Sequence, residues 1–200
     1  SNASVIATLA EFDHAPSRFL QGFAGSICVN LFDTQMRKTD TEIIGHYARD
    51  ARLLELANDE IQRFDFGIRE MRVVSGLSGP VALFSHVGLA EPMTYGLESH
   101  GTKIFLEILP EIVGTLKQGG MAVVDELDLS IHPRLLPELI RWFYDTDQNP
   151  CGAQLWTACQ NAALLEELEK EEVFLCDKNR NGRTEVFSIA DFRGVRRTDN

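Results

Sequence analysis

"GMAVVDELDLSIHP", Gly120 to Pro133, is the stretch on which the reading of this chain turns. Its apolar residues Met121 to Val124 end abruptly in two acids, Asp125 and Glu126. Ser130, His132 and Pro133 follow, and then a helix-like pattern begins. A short continuous apolar run is what a strand buried on both faces looks like. In a parallel α/β sheet, ligands bind beyond the carboxyl ends of such strands. Phosphoryl transfer needs two services at that place. One carboxylate holds Mg²⁺, and another group orients and polarises the attacking water. The plainer reading is that two acids end a strand and cap the next element.

Upstream lies "SHGTKIFLEILPEIVGTLKQGG". Ser99 is a good N-cap, and Ile104, Phe105, Ile108, Leu109, Ile112, Val113 and Leu116 share one helical face. Gly119 and Gly120 stop the helix, and Pro110 predicts a kink within it. Ser99, Gly101 and Thr102 are small, so N–H groups and hydroxyls at the helix start are open to an anion, which the helix dipole favours. An ordinary cap is the plainer reading there too. Downstream come helix "PRLLPELIRWFYD" with Pro133 near its first turn, strand "AQLWTA", helix "NAALLEELEK" and strand "VFLCDK". "NRNG" then turns the chain into a last strand, "TEVFSI". Gln160 and Asn161 follow "AQLWTA", where a γ-phosphate sensor would sit. Strands alternating with helices predict α/β layers on a mainly parallel sheet, closed by an antiparallel hairpin.

The first half is less regular. Phe19, Phe23, Ile27 and Leu31 recur at four-residue steps and predict a helix from Pro16 to Phe32. "TDTE", Thr39 to Glu42, has the form of a capping box and opens a second helical stretch through Ile43, Ile44, Tyr47, Ala48, Ala51 and Leu54. "FGIREMRVVS" and "VALFSHV" read as strands on either side of the turn "GLSGP".

A formal charge of −11, from 30 acids against 19 bases, argues against a broad duplex-DNA surface. A nucleic-acid partner is therefore not indicated beyond a local basic patch. Cys28, Cys151, Cys159 and Cys176 have no framework spacing, which predicts reduced thiols and a cytoplasmic protein. No run approaches the length of a membrane span, so no membrane partner is expected. His14, His46, His86 and His100 have no metal spacing with the cysteines, and no metal–protein site is assigned to them. His132 reads as a loop or cap residue, Trp142 to Tyr144 as core or interface, and the tail Arg193 to Arg197 as solvated. Residues 1–3, Ser-Asn-Ala, look like the remnant of a removed tag, and Ser4 rather than Met follows. The expectation is that the chain begins inside a longer parent.

In this order the segments resemble the C-terminal half of an ABC-class ATPase head. More narrowly, they resemble bacterial AAA family ATPases related to abortive-infection, phage-defence and OLD-like proteins. "ESHGTK" looks like their shortened signature motif, and "MAVVDELDLSIHP" like Walker B, catalytic glutamate and D-loop in one run. "NPCGAQLWTACQN" is similar to the strand leading to the switch, and "VFLCDKNRNGRTEVFSIADFRGVRRTDN" to the closing hairpin and tail. The resemblance covers about residues 95–200. It implies an α/β, three-layer P-loop NTPase-like fold, with 4–65 as a helical arm region and 66–200 as the C-terminal part of the core. It implies that Asp125 holds Mg²⁺, that Glu126 is catalytic, and that Ser99, Gly101, Thr102 and Ser130 contact nucleotide. In such heads two protomers sandwich two nucleotides, so the signature acts in trans and the two acids in cis. The implied cofactors are ATP and Mg²⁺ in the full-length parent, and the implied partner is a second copy of that parent.

Two departures from the family pattern matter. The chain has no Gly-Lys pair, hence no G-x-x-x-x-G-K-[ST] loop to cradle phosphates. The family's switch histidine falls at Gln160, where "TTHD" becomes "ACQN". Gln can hydrogen-bond a phosphate oxygen but cannot carry a proton. Two other readings stay open: a degenerate ATP-gated regulator of a nuclease or toxin effector, and a plain α/β interaction domain.

Overall fold

The computed structural model describes residues 27–30, 38–65, 67–125, 127–131, 135–160, 164–165 and 167–192. The chain divides into two compact units, Ser1–Cys159 and Gln160–Asn200.

In the first unit, β5 (Met121–Val124) lies between β1 (Ile27–Asn30) and β6 (Gln154–Thr157), and all three are parallel. The register pairs Asn30 with Val124 and Val124 with Thr157, so the three strands end level. This is the parallel sheet expected of the second half of the sequence, in an α/β architecture. The third strand corrects one expectation. The four-residue spacing predicts a helix through Ile27–Asn30, yet these residues form β1. A partner strand satisfies its backbone, and Ile27 and Val29 are β-branched, so tertiary pairing overrides the local period. The rest of that expected helix lies outside the described residues.

The region also holds a sheet that is wholly antiparallel, in the order β2 (Ile68–Gly76), β3 (Gly79–His86) and β4 (Met93–Thr94). Its edge strand β2 is covered by α2 (Ala51–Phe64). Asn58 Oδ1 accepts from the Met71 amide at 2.6 Å, Asn58 Nδ2 donates to the Met71 carbonyl at 3.0 Å, and Gln62 Nε2 donates to the Arg69 carbonyl at 2.7 Å. Two carboxamides one helical turn apart thus replace a neighbouring strand and blunt the edge.

The capping box at Thr39 forms as expected, with Thr39 and Glu42 bonding each other's backbone ahead of α1 (Asp40–Arg49). The single helix expected through Leu54 is instead two helices. Asp50, extended at φ −127° and ψ 101°, ends α1 and caps α2, its Oδ1 accepting from the amides of Arg52 and Leu53. An Asp that can bond the backbone ahead of it offers the chain an alternative to continuing the helix. The Leu53 amide is the first cause holding its carboxyl below the ordinary range, with Lys117 and Arg52 assisting.

The core gathers on α3 (His100–Gln118), which buries Ile104, Phe105, Leu106, Ile108, Leu109, Ile112 and Leu116. Phe105 meets Phe64 of α2 edge to face at 5.3 Å. Pro110 interrupts the helix ladder, because it has no N–H to give the carbonyl of Leu106 four residues back. Tyr47 of α1, itself 2 % exposed, donates its hydroxyl to that same carbonyl at 2.6 Å. A buried carbonyl that proline would orphan is therefore bonded from another helix.

In the second unit, β7 (Phe174–Lys178) and β8 (Thr184–Ser188) form the expected antiparallel hairpin, in register from Phe174–Ser188 to Lys178–Thr184. Asn179 and Gly182, the latter at φ +75°, close its turn. The helix expected over 161–170 does not run through its described residues. Leu164 and Leu165 lie in a single 3-10 turn, and Glu169 caps a new short turn at Lys170–Glu172.

Two predictions test this packing. Tyr47→Phe removes the hydroxyl that donates to the Leu106 carbonyl and leaves the ring in place. It should cost about 1–3 kcal/mol in urea unfolding at unchanged slope. The second concerns Glu60, which is 2 % exposed, bonds Arg63 at 2.7 Å through Oε1 and has no partner for Oε2 among the described residues. Burial raises its carboxyl above the ordinary 4.5, Arg63 opposes this, and Glu138 and Asp59 add to it. The folded state thus holds this proton more tightly than the unfolded chain. Its stabilising share is complete below the unfolded value and is lost as pH rises through the folded one. Glu60→Gln should therefore raise the melting temperature at pH 7, with a gain that shrinks toward pH 4.

Candidate functional site

Two groups of expected site residues lie at different ends of one piece of scaffold. The first is the start of α3. Ser99, at φ −61° and ψ 152°, is its N-cap, and its Oγ accepts from the Thr102 amide at 3.2 Å. The Thr102 hydroxyl lies 2.8 Å from Ser99 Oγ, and Thr102 is 1 % exposed. Thr102 therefore faces inward and supports Ser99, where sequence reading had set both facing a ligand. Ser99 and His100 are exposed, and Gly101 is half-buried. A Cβ added at Gly101 would meet nothing within 4 Å, so the described fold does not itself require glycine there. The first turn of α3 carries no acid, whereas that of α1 carries Asp40 and Glu42. The positive end of the α3 dipole is left uncompensated by carboxylates in that turn.

The turn leading into α3 is firmly held. Tyr95, 5 % exposed, donates its hydroxyl to the Lys103 carbonyl at 3.4 Å, and Lys103 Nζ donates to the Gly96 carbonyl at 2.6 Å. Burial, with the Asp40 and Glu107 carboxylates, pushes the Tyr95 phenol well above its ordinary value and keeps it a donor. Glu98 is 7 % exposed, and its Oε1 accepts from His86 Nε2 of β3 at 2.8 Å. Sequence reading missed this pair, because a buried acid just before an N-cap looks like any solvated glutamate.

The second group is the tip of β5. Val124 is 3 % exposed, and Asp125, which follows it, is exposed at the carboxyl end of the central parallel strand. Its loop is tied to the adjacent strand end. The Ala158 amide donates to the Val124 carbonyl, and the Leu127 amide donates to the Ala158 carbonyl, each at 3.3 Å. Leu127 and Ile131, 0 % and 3 % exposed, anchor the chain beyond it through the short α4 (Leu127–Ser130). Asn149, 8 % exposed, bonds the Ala153 amide and carbonyl and fixes the entry to β6. Glu126 and His132 lie outside the described residues, as does the Ser130 side chain. Gln160 is exposed at the first position of the second unit. Among the described residues, no cluster of three or more His, Cys, Asp or Glu side chains is arranged to hold a metal ion. No described helix is long and apolar enough to cross a membrane.

The scaffold separates the two groups. The 19 residues of α3 span roughly 28 Å, and the chain then reverses at Gly119 and Gly120 into β5. Gly119, at φ +75°, has the Cys151 carbonyl 3.1 Å from where a Cβ would sit, so this reversal needs glycine. The four residues of β5 retrace about 13 Å, leaving Ser99 and Asp125 on the order of 15 Å apart along the helix axis.

Ser99→Ala and Thr102→Val should each destabilise the chain by about 1 kcal/mol, and the double variant by less than the sum. Urea unfolding of the three variants checks this, and full additivity would mean that the two hydroxyls act independently.

A family model described as "AAA domain, putative AbiEii toxin, Type IV TA system" matches residues 29–155. A solved structure from work on the structural biochemistry of ATP-driven dimerization and DNA stimulated activation of SMC ATPases has the same fold. It aligns with a TM-score of 0.51 at 10 % identity, covering 73 % of this chain and 88 % of that one. No curated protein matches the chain. The family match spans more than half of the 200 residues, so the chain belongs to this AAA-domain family.

Proposed function

Taking membership of that family as the premise, we propose that this chain is the signature and Walker B part of an ATP-hydrolysing ABC-type head. Its phosphate loop would come from a polypeptide segment outside the 200 residues. The observation that carries this reading is the place of Asp125, an exposed carboxylate at the carboxyl end of the central strand of a parallel sheet. Asp125 would hold Mg²⁺, and Glu126 beside it would orient and polarise the attacking water. Bound Mg²⁺ would neutralise charge developing on the phosphoryl oxygens. Ser130 would contact the same nucleotide, and Gln160 would hydrogen-bond a phosphate oxygen without transferring a proton.

The separation of Ser99 from Asp125 supports an action in trans. At a separation on the order of 15 Å, a γ-phosphate held beside Asp125 would lie beyond reach of Ser99 on the same chain. The first turn of α3, which carries no acid, with exposed Ser99 and an unobstructed Gly101, would suit the phosphate of a second copy instead. Thr102 would act by holding Ser99. The SMC neighbour's ATP-driven dimerization is a property of that protein; the same behaviour is part of this proposal.

One observation favours a second reading. With Gln160 in place of the family's histidine, the head would sense ATP and gate a nuclease or toxin effector with little turnover.

Two variants of the phosphate-loop-bearing parent separate the roles. Ser99→Arg should abolish ATP-dependent dimerisation in light scattering, while ATP binding by each monomer stays within about threefold. Glu126→Gln should keep binding and trap the ATP-loaded dimer. Loss of monomer ATP binding in Ser99→Arg would contradict the trans assignment. A Glu126→Gln protein that hydrolyses ATP at the parental rate would rule out the catalytic role.

A further inference from the structure

Gly96, Leu97 and Ser99 are exposed, so apolar burial does little to hold this end of the turn. Leu97 is 68 % exposed, and the segment after His86 is similar, with Val87 at 55 % and Leu89 at 54 %. Tyr95 goes inward at the start of this turn, and next to the N-cap the inward side chain is Glu98, which meets His86 at 2.8 Å. Both partners are well shielded, with 17 % of the His86 side chain and 3 % of the Glu98 side chain exposed. A hydrogen bond to a buried carboxylate is strong, and removing its partner leaves that carboxylate unsatisfied. The His86 end is itself anchored. His86 pairs with Ile68 in the β2–β3 ladder, and the next residue, Val87, donates its amide to the Gly67 carbonyl at 2.8 Å. The antiparallel sheet thus reaches the start of α3 twice, along the backbone from β4 through Tyr95 and, next to the N-cap itself, through the His86–Glu98 side-chain bond.

We propose that His86 and Glu98 are positioning residues for the Ser99 site. Their bond fixes the backbone immediately before the N-cap, and so sets where Ser99 and Gly101 are presented to a partner. Neither residue touches nucleotide. The proposal rests on the trans reading given above, and it adds the antiparallel sheet as the support of that contact. It also makes the contact sensitive to any shift of β3 relative to α3.

Amide hydrogen exchange on the 200-residue chain tests the clasp directly. The reporters are the Thr102 amide, bonded to Ser99 Oγ, and the Lys103 amide, bonded to the Ser99 carbonyl. Glu98→Ala and His86→Ala should each speed exchange at these two positions by about tenfold, and the double variant should add little further. Glu98→Gln keeps an acceptor oxygen and should stay close to the wild type. Exchange in α2 should not change. Unchanged reporters, or a uniform rise through α2 and α3, would overturn the proposal.

A second measurement in the phosphate-loop-bearing parent separates this proposal from the reading beneath it. Glu98→Ala should weaken ATP-dependent dimerisation by about tenfold, leave monomer ATP binding unchanged, and be rescued in Glu98→Gln. If exchange responds as expected while dimerisation does not, the positioning role is overturned. Ser99→Arg then decides whether the trans reading falls with it: dimerisation that survives that variant as well removes the reading, and dimerisation that fails leaves it standing.

Discussion

The hydroxyl of Tyr47 bonded to the carbonyl of Leu106 is the contact on which the rest of the first unit depends. It lies where Pro110 withdraws the N–H that the helix would otherwise supply. Helix α3 is the longest described element, and it carries the largest share of the core. One end presents Ser99 and Gly101, and the other feeds through Gly119 and Gly120 into the central strand β5. A helix frayed at Pro110 would disconnect the two groups of candidate residues. By satisfying that carbonyl from α1, the fold keeps a proline in a buried helix without leaving a polar group unpaired.

The same helix keeps the two groups of candidate residues apart. Its length holds Ser99 away from Asp125, and the reversal at Gly119 cannot be relaxed while the Cys151 carbonyl lies so close. On the trans reading proposed above, this helix is a rigid spacer between a helix start that would face a partner's phosphate and a carboxylate that would hold Mg²⁺. Within each group the support comes from polar groups. Thr102 holds Ser99, His86 holds Glu98, and Asn149 holds the entry to β6. Directional bonds of this kind fix an exposed backbone where apolar packing is thin.

Much of this was legible because its causes are local. The capping box at Thr39, the N-cap at Ser99, the glycines after α3 and the hairpin turn at Asn179–Gly182 each follow from a few adjacent residues. Helix α3 was readable from its apolar face, and β5 from its short apolar run ended by acids. The misreadings have a common origin in non-local forces. Ile27–Asn30 is a strand because β5 lies beside it, whatever its own spacing suggests. Asp50 breaks a helix that apolar periodicity alone would continue.

The sequence by itself determined the kinds of residue available to the site: an acid pair after an apolar run, small residues at a helix start, a glutamine after the next strand, and no G-x-x-x-x-G-K-[ST] loop. These are facts of composition and order, and they need no coordinates. Only the tertiary structure decided which of those side chains face outward. Thr102 turned in because α3 packs the face that carries Thr102, Phe105, Leu106 and Leu109 into the core, and Ser99 before it stayed out. Glu98 became a buried partner of His86 because an antiparallel sheet brought a residue 12 positions away to within hydrogen-bonding distance. Burial and pairing across elements depend on where the backbone goes in three dimensions, and no window of adjacent residues contains that information.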